Sequence, residues 1–501
     1  MKNWTGINCT DPDLSIDKLD PLLISLLSSG GDERVSINPV NGLNRYFSAP
    51  YPRKLVAYAS STANDLSMAA FDHLRKMLKN GVPKYVDHLN SLRQRIKAAY
   101  SVQQDVEIVF APSGTDLEYV ALAANLGKAA SGVHNILLGT DEVGSGCKYS
   151  ANGQFFASHT AVGLKSEEGE FVEGFENVSL VDVPVRNIKG EPREGADITS
   201  QIADEIVFAQ LLRKHCLVHV VHGSKTGLIL PELSELDYLM ERFGSSVSFI
   251  VDACQARITS KAINDYLDRG AIVCLTGSKF MGGAPFNGWA LVPTETVRNA
   301  VSLPVGLKRV FRQAEFPKIW RGQSGLEKGE NKGLALRFEG SIFELERFNE
   351  LPAEQVLVVL KQFEDAINSN LVLGLGAKIV KPFVSGHEAD QVTHPIEMRT
   401  LVTLDVSHLR NMTTWHDAKE VHGNLAKSGV RLGQPVKCVR LGKDWGGTIR
   451  IGLSMPQIVA LCSLSVDEAA KVLKQDMSTI ASALQEASEL EYSVIKQLMI
   501  R

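Results

Sequence analysis

The stretch LTGSKFMGGAPF (275–286) places one lysine, Lys279, at the end of an apolar run, Ala271-Ile272-Val273-Cys274, among small residues and then glycines. Burying an ammonium without a partner is costly. A desolvated lysine has a lowered pKa and becomes a usable amine nucleophile. The plain alternative is a surface lysine that snorkels to water, but Gly282 and Gly283 allow another group to approach closely. Asp252 ends an earlier apolar run in SFIVDACQAR (248–257), 27 residues before Lys279, and Gln255 follows one turn later. A carboxylate there needs a partner, or its pKa rises; it reads equally as a cap for the next helix. In VFAPSGTDLEY (109–119), Ser113-Gly114-Thr115 brings hydroxyls and backbone N–H groups to a helix start. That turn suits a phosphate, or is a simple Ser/Thr cap. VVHGSKTGLILPE (220–232) sets His222, Ser224, Lys225 and Thr226 in a further strand-end turn.

These side chains act together only if the fold converges them. VEIVFAP (106–112), NILLGT (135–140), CLVHVVH (216–222), VSFIVDA (247–253), AIVCLTG (271–277) and GWALVP (288–293) are short continuous apolar runs. Helical patterns such as ELSELDYLMERFG (232–244) lie between several of them, and TDLEYVALAANLGKAA (115–130) predicts a helix capped by Thr115 or Asp116. Continuous apolar strands alternating with helices predict an α/β fold with a mostly parallel sheet covered on both faces. In such sheets function gathers at the C-terminal ends of the strands, where all four motifs fall.

Residues 1–55 read as an arm with one short helix from Leu19 to Leu27. Residues 56–370 form a large domain, helical at 64–101 and again over most of 294–370, and 371–501 form a small C-terminal α+β domain. That last part contains RTLVTLDV (399–406), a helix near 415–428, TIRIGLS (448–454) and a long helix from about Ser465. At 501 residues two such units are expected. A net charge of -4 gives no reason to expect nucleic acid. No apolar run is long enough for a membrane span or a signal peptide. Seven scattered cysteines without a CxxC pair point to a reducing cytoplasm rather than a disulfide framework or structural zinc. His416 and His422 are poorly spaced for one metal, so no metal is expected, and LGLGAK (373–378) lacks the full dinucleotide-binding glycine pattern.

A hydroxyl-lined phosphate turn, an acid and a lysine, in that order on strand ends, fit pyridoxal 5'-phosphate, which needs a phosphate cup, a partner for its ring nitrogen and an amine for its aldehyde. The chain resembles the aminotransferase class V branch of the fold-type I pyridoxal-phosphate enzymes, the branch that includes cysteine desulfurases, over roughly residues 50 to 490. VAYASSTANDLS (56–67) is similar to the substrate loop, SGTDLE to the phosphate turn, and HGSKTGLILP to a motif that normally reads Ser-Asn-Glu-Thr-Gly. VDACQAR resembles Asp-x-x-Gln, TGSK sits at the imine lysine, and GTIRIGLS (447–454) resembles the strand whose arginine grips the substrate carboxylate.

The resemblance implies a fold-type I transferase, homodimeric with shared active sites, acting on an amino acid as transferase or lyase. It makes Lys279 the Schiff-base amine and proton shuttle, with Asp252 at the pyridine nitrogen as the second catalytic residue, and Gln255 at the ring's phenolic oxygen. Ser113, Gly114, Thr115, Thr276 and Ser278 would hold the phosphate, and Arg450 the substrate carboxylate. Departures leave the reaction open. Ser224 stands where the family has Asn, Ser278 where desulfurases often have His, and Glu142 and Val143 where many members stack a His on the ring; Glu142 is a further candidate cofactor contact. Cys438, in GVRLGQPVKCVRL (429–441), is a candidate persulfide carrier for a desulfurase or C–S lyase, or else an unreactive thiol; Arg431, Gln434 and Lys437 are candidate polar substrate contacts. FPKIWRGQSGLEKGENKG (316–333) reads as a lid or subunit contact anchored by Trp320 and Arg321. A retired relative serving as a binding or regulatory module is the rival from another class.

Overall fold

The computed structural model describes residues 19–140, 142–144, 146–382, 396 and 399–489; Cys9 and the start of the arm lie outside the described residues. Helix α1 (Leu19–Leu27) leads to a short strand β1 (Val56–Tyr58) and to helices α2 (Met68–Asn80) and α3 (Tyr85–Ala99). The alternation follows: β2 (Val106–Ala111), α4 (Leu117–Asn125), β3 (Val133–Leu138), α5 (Cys147–Ser150), β4 (Val178–Val183), α6 (Gly195–Leu211), β5 (His215–His222) and β6 (Ile229–Leu230). It continues through α7 (Leu233–Phe243), β7 (Val247–Ala253), α8 (Ser260–Asp268), β8 (Ile272–Thr276), β9 (Gly288–Pro293) and α9 (Thr294–Asn299).

Seven of these strands lie in the order β2-β9-β8-β7-β5-β3-β4, and β6 pairs with β5. β9 is antiparallel to both neighbours, while β8, β7, β5, β3 and β4 run parallel. Every residue of β3, β5 and β8 is buried, which is why these strands show no alternation of apolar and polar residues, though His134, Asn135 and the histidines of β5 interrupt them. β4 gives no such signal. It is an edge strand buried only at its two ends, and Ser179 and Asp182 interrupt its apolar residues.

Residues 300–315 depart from the helical expectation, while 316–331 lie in the glycine-rich stretch read as a loop. They hold only short 3-10 turns, before α10 (Lys332–Asn349) and α11 (Ala353–Ile367) resume. Gly and Pro break the helix there, and buried Trp320 packs on Phe316 at 5.3 Å between ring centroids, tying the loop to the core, whereas the Arg321 side chain is exposed and its carbonyl accepts from Leu303 N–H at 2.9 Å. The C-terminal part contains β10 (Lys378–Ile379), β11 (Leu401–Asp405), α12 (Trp415–Lys427), β12 (Val430–Leu432), the hairpin β13 (Arg440–Leu441) and β14 (Asp444–Trp445), β15 (Thr448–Gly452), α13 (Met455–Cys462) and α14 (Val466–Glu489). β10, β11 and β15 form an antiparallel sheet. β1 pairs parallel with β12, so the segment after the arm is carried to the second sheet and its loop (59–67) is brought beside Arg450. No described helix is long and apolar enough to cross a membrane.

Candidate active site

One cleft, at the edge where the parallel strands end, is lined by Ser113, Gly114, Thr115, Glu142, Ser224 and Asp252. Gln255, Thr276, Ser278, Lys279, Gln434 and Arg450 line it too, so the structure brings together the candidates of the sequence motifs except Arg431, Lys437 and Cys438. The convergence follows from topology. Ser113 lies two residues past β2, Ser224 two past β5 and Lys279 three past β8, and Asp252 sits within the last turn of the pleat of β7.

The phosphate-like turn differs from a helix cap. Asp116 precedes α4 with helical dihedrals and no side-chain cap bond, which corrects the expectation that Thr115 or Asp116 caps the helix. Instead Ser113 Oγ donates to Asp116 Oδ2 at 2.6 Å, and burial pushes the Asp116 carboxyl up to about 7. A Cβ at Gly114 would stand 2.8 Å from Thr276 Cγ2 and 2.9 Å from Cys254 Sγ, so a side chain at 114 would close the cradle. Thr276 Oγ1 donates to the Cys254 carbonyl at 2.6 Å, knitting this turn to the end of β7.

At the centre, Asp252 lines the cleft, and its Oδ1 accepts from Cys254 N–H at 2.9 Å. Gln255 donates to the Ser61 carbonyl at 3.2 Å and accepts from Arg257 at 2.8 Å. The Lys279 main chain is held by Asn64, which donates to its carbonyl, and no described carboxylate lies within 4 Å of its amine. The glycines behind it serve the fold. Gly283 and Gly277 back onto Ser341 of α10, and Gly282 turns with φ +80 against Pro456. The room expected there for a ligand or subunit is thus taken by this chain's own α10.

Glu142 is engaged on both oxygens. Arg186 Nε donates at 2.8 Å, Ser224 Oγ at 2.7 Å, Thr226 N–H at 3.1 Å and Thr226 Oγ1 at 3.0 and 2.9 Å. Burial opposes its charge, but Arg186 and the hydroxyls hold the carboxyl below its ordinary value. The Ser224 hydroxyl is spent on this carboxylate, and the pair shapes the turn that carries Lys225. Burial and the Arg450 charge draw the Lys225 amine down to about 8. Arg450 is buried and, among the described residues, its side chain is bonded to neutral acceptors: the Gln434, Ser61 and Lys225 carbonyls at 2.8, 3.4 and 3.3 Å and Thr62 Oγ1 at 3.1 Å. Burial lowers it to about 10, which still leaves it cationic at neutral pH.

Cys438 is buried outside the cleft lining, and burial pushes its thiol up to about 12, so thiolate is scarce at neutral pH. Cys438→Ala is therefore expected to leave sulfide release from cysteine unchanged in a coupled sulfide assay; its abolition would restore the persulfide role. Gln434 does line the cleft, whereas Arg431 pairs with Asp65 at 3.5 Å and Lys437 lies over the Trp415 ring at 5.0 Å. The sequence reading missed Arg34, Tyr46 and Phe286 in the lining. Arg34 sits in an arm without periodicity, so no local pattern could have pointed to it.

No family model matches the chain, and no curated protein sequence matches it. Solved structures do. A cysteine desulfurase from Escherichia coli matches with TM-score 0.52 and 13% identity, covering 87% of this chain and 95% of that one. The cystine C-S lyase C-DES, in complex with its product cysteine persulfide, matches with TM-score 0.52 and 13% identity over 85% and 97%. Ureidoglycine-glyoxylate aminotransferase from Bacillus subtilis matches with TM-score 0.51 and 11% identity over 87% and 99%. With these neighbours and this strand order, the chain has the fold of the fold-type I pyridoxal-phosphate-dependent transferases.

Proposed function

We propose that the chain is a pyridoxal-phosphate-dependent enzyme acting at the α-carbon, or the β- or γ-carbon, of an amino acid, as an aminotransferase or lyase. One observation carries the reading: an amine, a carboxylate, a hydroxyl-lined cradle and a guanidinium that no described carboxylate pairs with share a single cleft. The residues fit the cofactor, because Gly114 leaves a cradle that a Cβ would fill and the donors around it are hydroxyls and N–H groups suited to phosphate. Ser113, Gly114, Thr115, Thr276 and Ser278 would hold the phosphate, Asp252 the ring nitrogen, Gln255 the phenolic oxygen, and Lys279 the aldehyde carbon. When bound, the group supplies an electron sink for the charge left on the substrate carbon.

The chain's own residues do the rest. Arg450 binds the substrate carboxylate with its planar fork, and its burial strengthens that contact by excluding water. Lys225, beside it, adds positive potential to that end of the cleft. Lys279, paired with no described carboxylate, would carry a proton to and from the α-carbon. Asp252, its carboxylate steadied by the Cys254 N–H, keeps a proton on the group opposite it. The fold also supports a desulfurase, a lyase and an aminotransferase, so the bond broken is left to experiment. The purified protein, incubated with pyridoxal phosphate, is expected to gain an absorbance band near the visible edge that shifts on adding its amino acid substrate. A protein that takes up no cofactor, or whose band answers to no member of an amino acid panel, would overturn the reading.

A further inference from the structure

The arm reaches into the cleft. Arg337 of α10 is fully buried and gives its donors to carbonyl oxygens: those of Leu27 at 3.1 Å, Ser29, Gly30 at 2.8 Å and Phe286 at 2.7 Å. Asn331 adds a bond to the Gly30 carbonyl at 2.9 Å. Residues 27–30 are thereby fixed against α10 and the segment after Lys279, and four residues on the chain brings Arg34 to the Ser-Gly-Thr turn. Its Nη2 donates to Ser113 Oγ at 2.9 Å and its Nη1 to Thr115 Oγ1 at 3.2 Å. Asp32 takes Nε and Nη2 at 2.7 Å each, and the rings of Phe156 and Phe286 flank the guanidinium, each centroid 4.8 Å from its carbon. Burial opposes the Arg34 charge, but Asp32 more than offsets it and holds the pKa above its ordinary value.

We propose that Arg34 supplies the positive charge of the phosphate cup, delivered in cis by the N-terminal arm; this rests on the cofactor reading above. The other donors of the turn are hydroxyls and N–H groups, which are neutral. A phosphate monoester carries about -1.5 to -2 charges at pH 7 and would meet the Asp116 carboxyl, bonded to the same Ser113 hydroxyl. Arg34 is the cation that touches both cup hydroxyls, so an anion held by those hydroxyls lies against its fork, and a guanidinium suits phosphate better than an ammonium. Asp32 and the two rings orient it. The competing role is purely structural, in which the Arg34–Asp32 pair ties down the arm.

Titration with pyridoxal phosphate and with pyridoxal, which has the same aldehyde and no phosphate, separates the two roles by absorbance alone. Arg34→Gln is expected to weaken pyridoxal phosphate by on the order of 10- to 100-fold and to leave pyridoxal unchanged. Arg34→Lys should fall between. Equal losses for both compounds, or no loss for pyridoxal phosphate, overturn the role of Arg34 and leave the cofactor reading intact. A wild-type protein that binds neither compound overturns both. If Arg34→Gln does not fold, Arg34→Lys decides the matter by the same selectivity: a loss confined to the phosphorylated compound supports the role, and an equal loss removes it.

Discussion

Lys279→Ala is expected to give a folded protein that does not shift the absorbance of added pyridoxal phosphate away from that of the free compound and turns over no amino acid. Lys279 stands three residues past β8, where the parallel strands end, and its main chain is fixed by Asn64 donating to its carbonyl. That bond survives the substitution. No described carboxylate pairs with the amine, so its removal strands no buried charge, and stability should change by no more than about 0.5 kcal/mol. Proton transfer alone is worth roughly 10²–10⁴-fold in rate, and loss of the bond to the cofactor adds to it. Absorbance titration, steady-state rates and a thermal melt read the three parts separately. A shifted band in the variant would assign the amine elsewhere. Lys225 is then the residue to change, because it lines the same cleft and its amine is drawn down to about 8.

The second large effect concerns stability. Glu142→Ala is expected to destabilise the fold by about 3–5 kcal/mol, since it leaves the Arg186 guanidinium buried without its carboxylate. The side chains of Arg186 and Glu142 are 7% and 3% exposed, so solvent cannot replace the lost partner. Ser224 Oγ and the Thr226 N–H lose their acceptor in the same step, and the turn carrying Lys225 loosens. The pH dependence follows from the lowered carboxyl. A group whose folded pKa lies below its unfolded value stabilises above the unfolded pKa, near 4.5, and that contribution fades as pH falls toward the folded value. Urea unfolding at pH 7 and at pH 4 should therefore show wild type losing stability on acidification and Glu142→Gln losing less. Unchanged stability of Glu142→Ala, together with weakened cofactor uptake, would instead make Glu142 a cofactor contact.

The strand-end motifs were legible because each one is local. An apolar run ending in SGT, VDACQ or TGSK states its own secondary structure and its own chemistry within a dozen residues. β3, β5 and β8 announce themselves because both faces are buried, and β7 and β9 were read to the residue. β4 did not, because at the sheet edge half of its residues meet water and need not be apolar. Residues 300–315 depart from the helical expectation because Leu303, Leu307, Val310 and Phe311 are apolar for tertiary packing, not for a helical face.

The sequence by itself determined the α/β alternation and the strand-end positions of Ser113, Asp252 and Lys279. Only the tertiary structure decided that Glu142 spends its oxygens on Arg186, Ser224 and Thr226, that Cys438 lies buried outside the cleft lining, and that the glycines after Lys279 close on Pro456 and Ser341. It alone carried Arg34 across 79 residues of sequence to the hydroxyl of Ser113. The physical reason is common to all four. Secondary structure is set by short-range periodicity, whereas a buried charge finds its partner through space, and which groups are close in space is settled by packing.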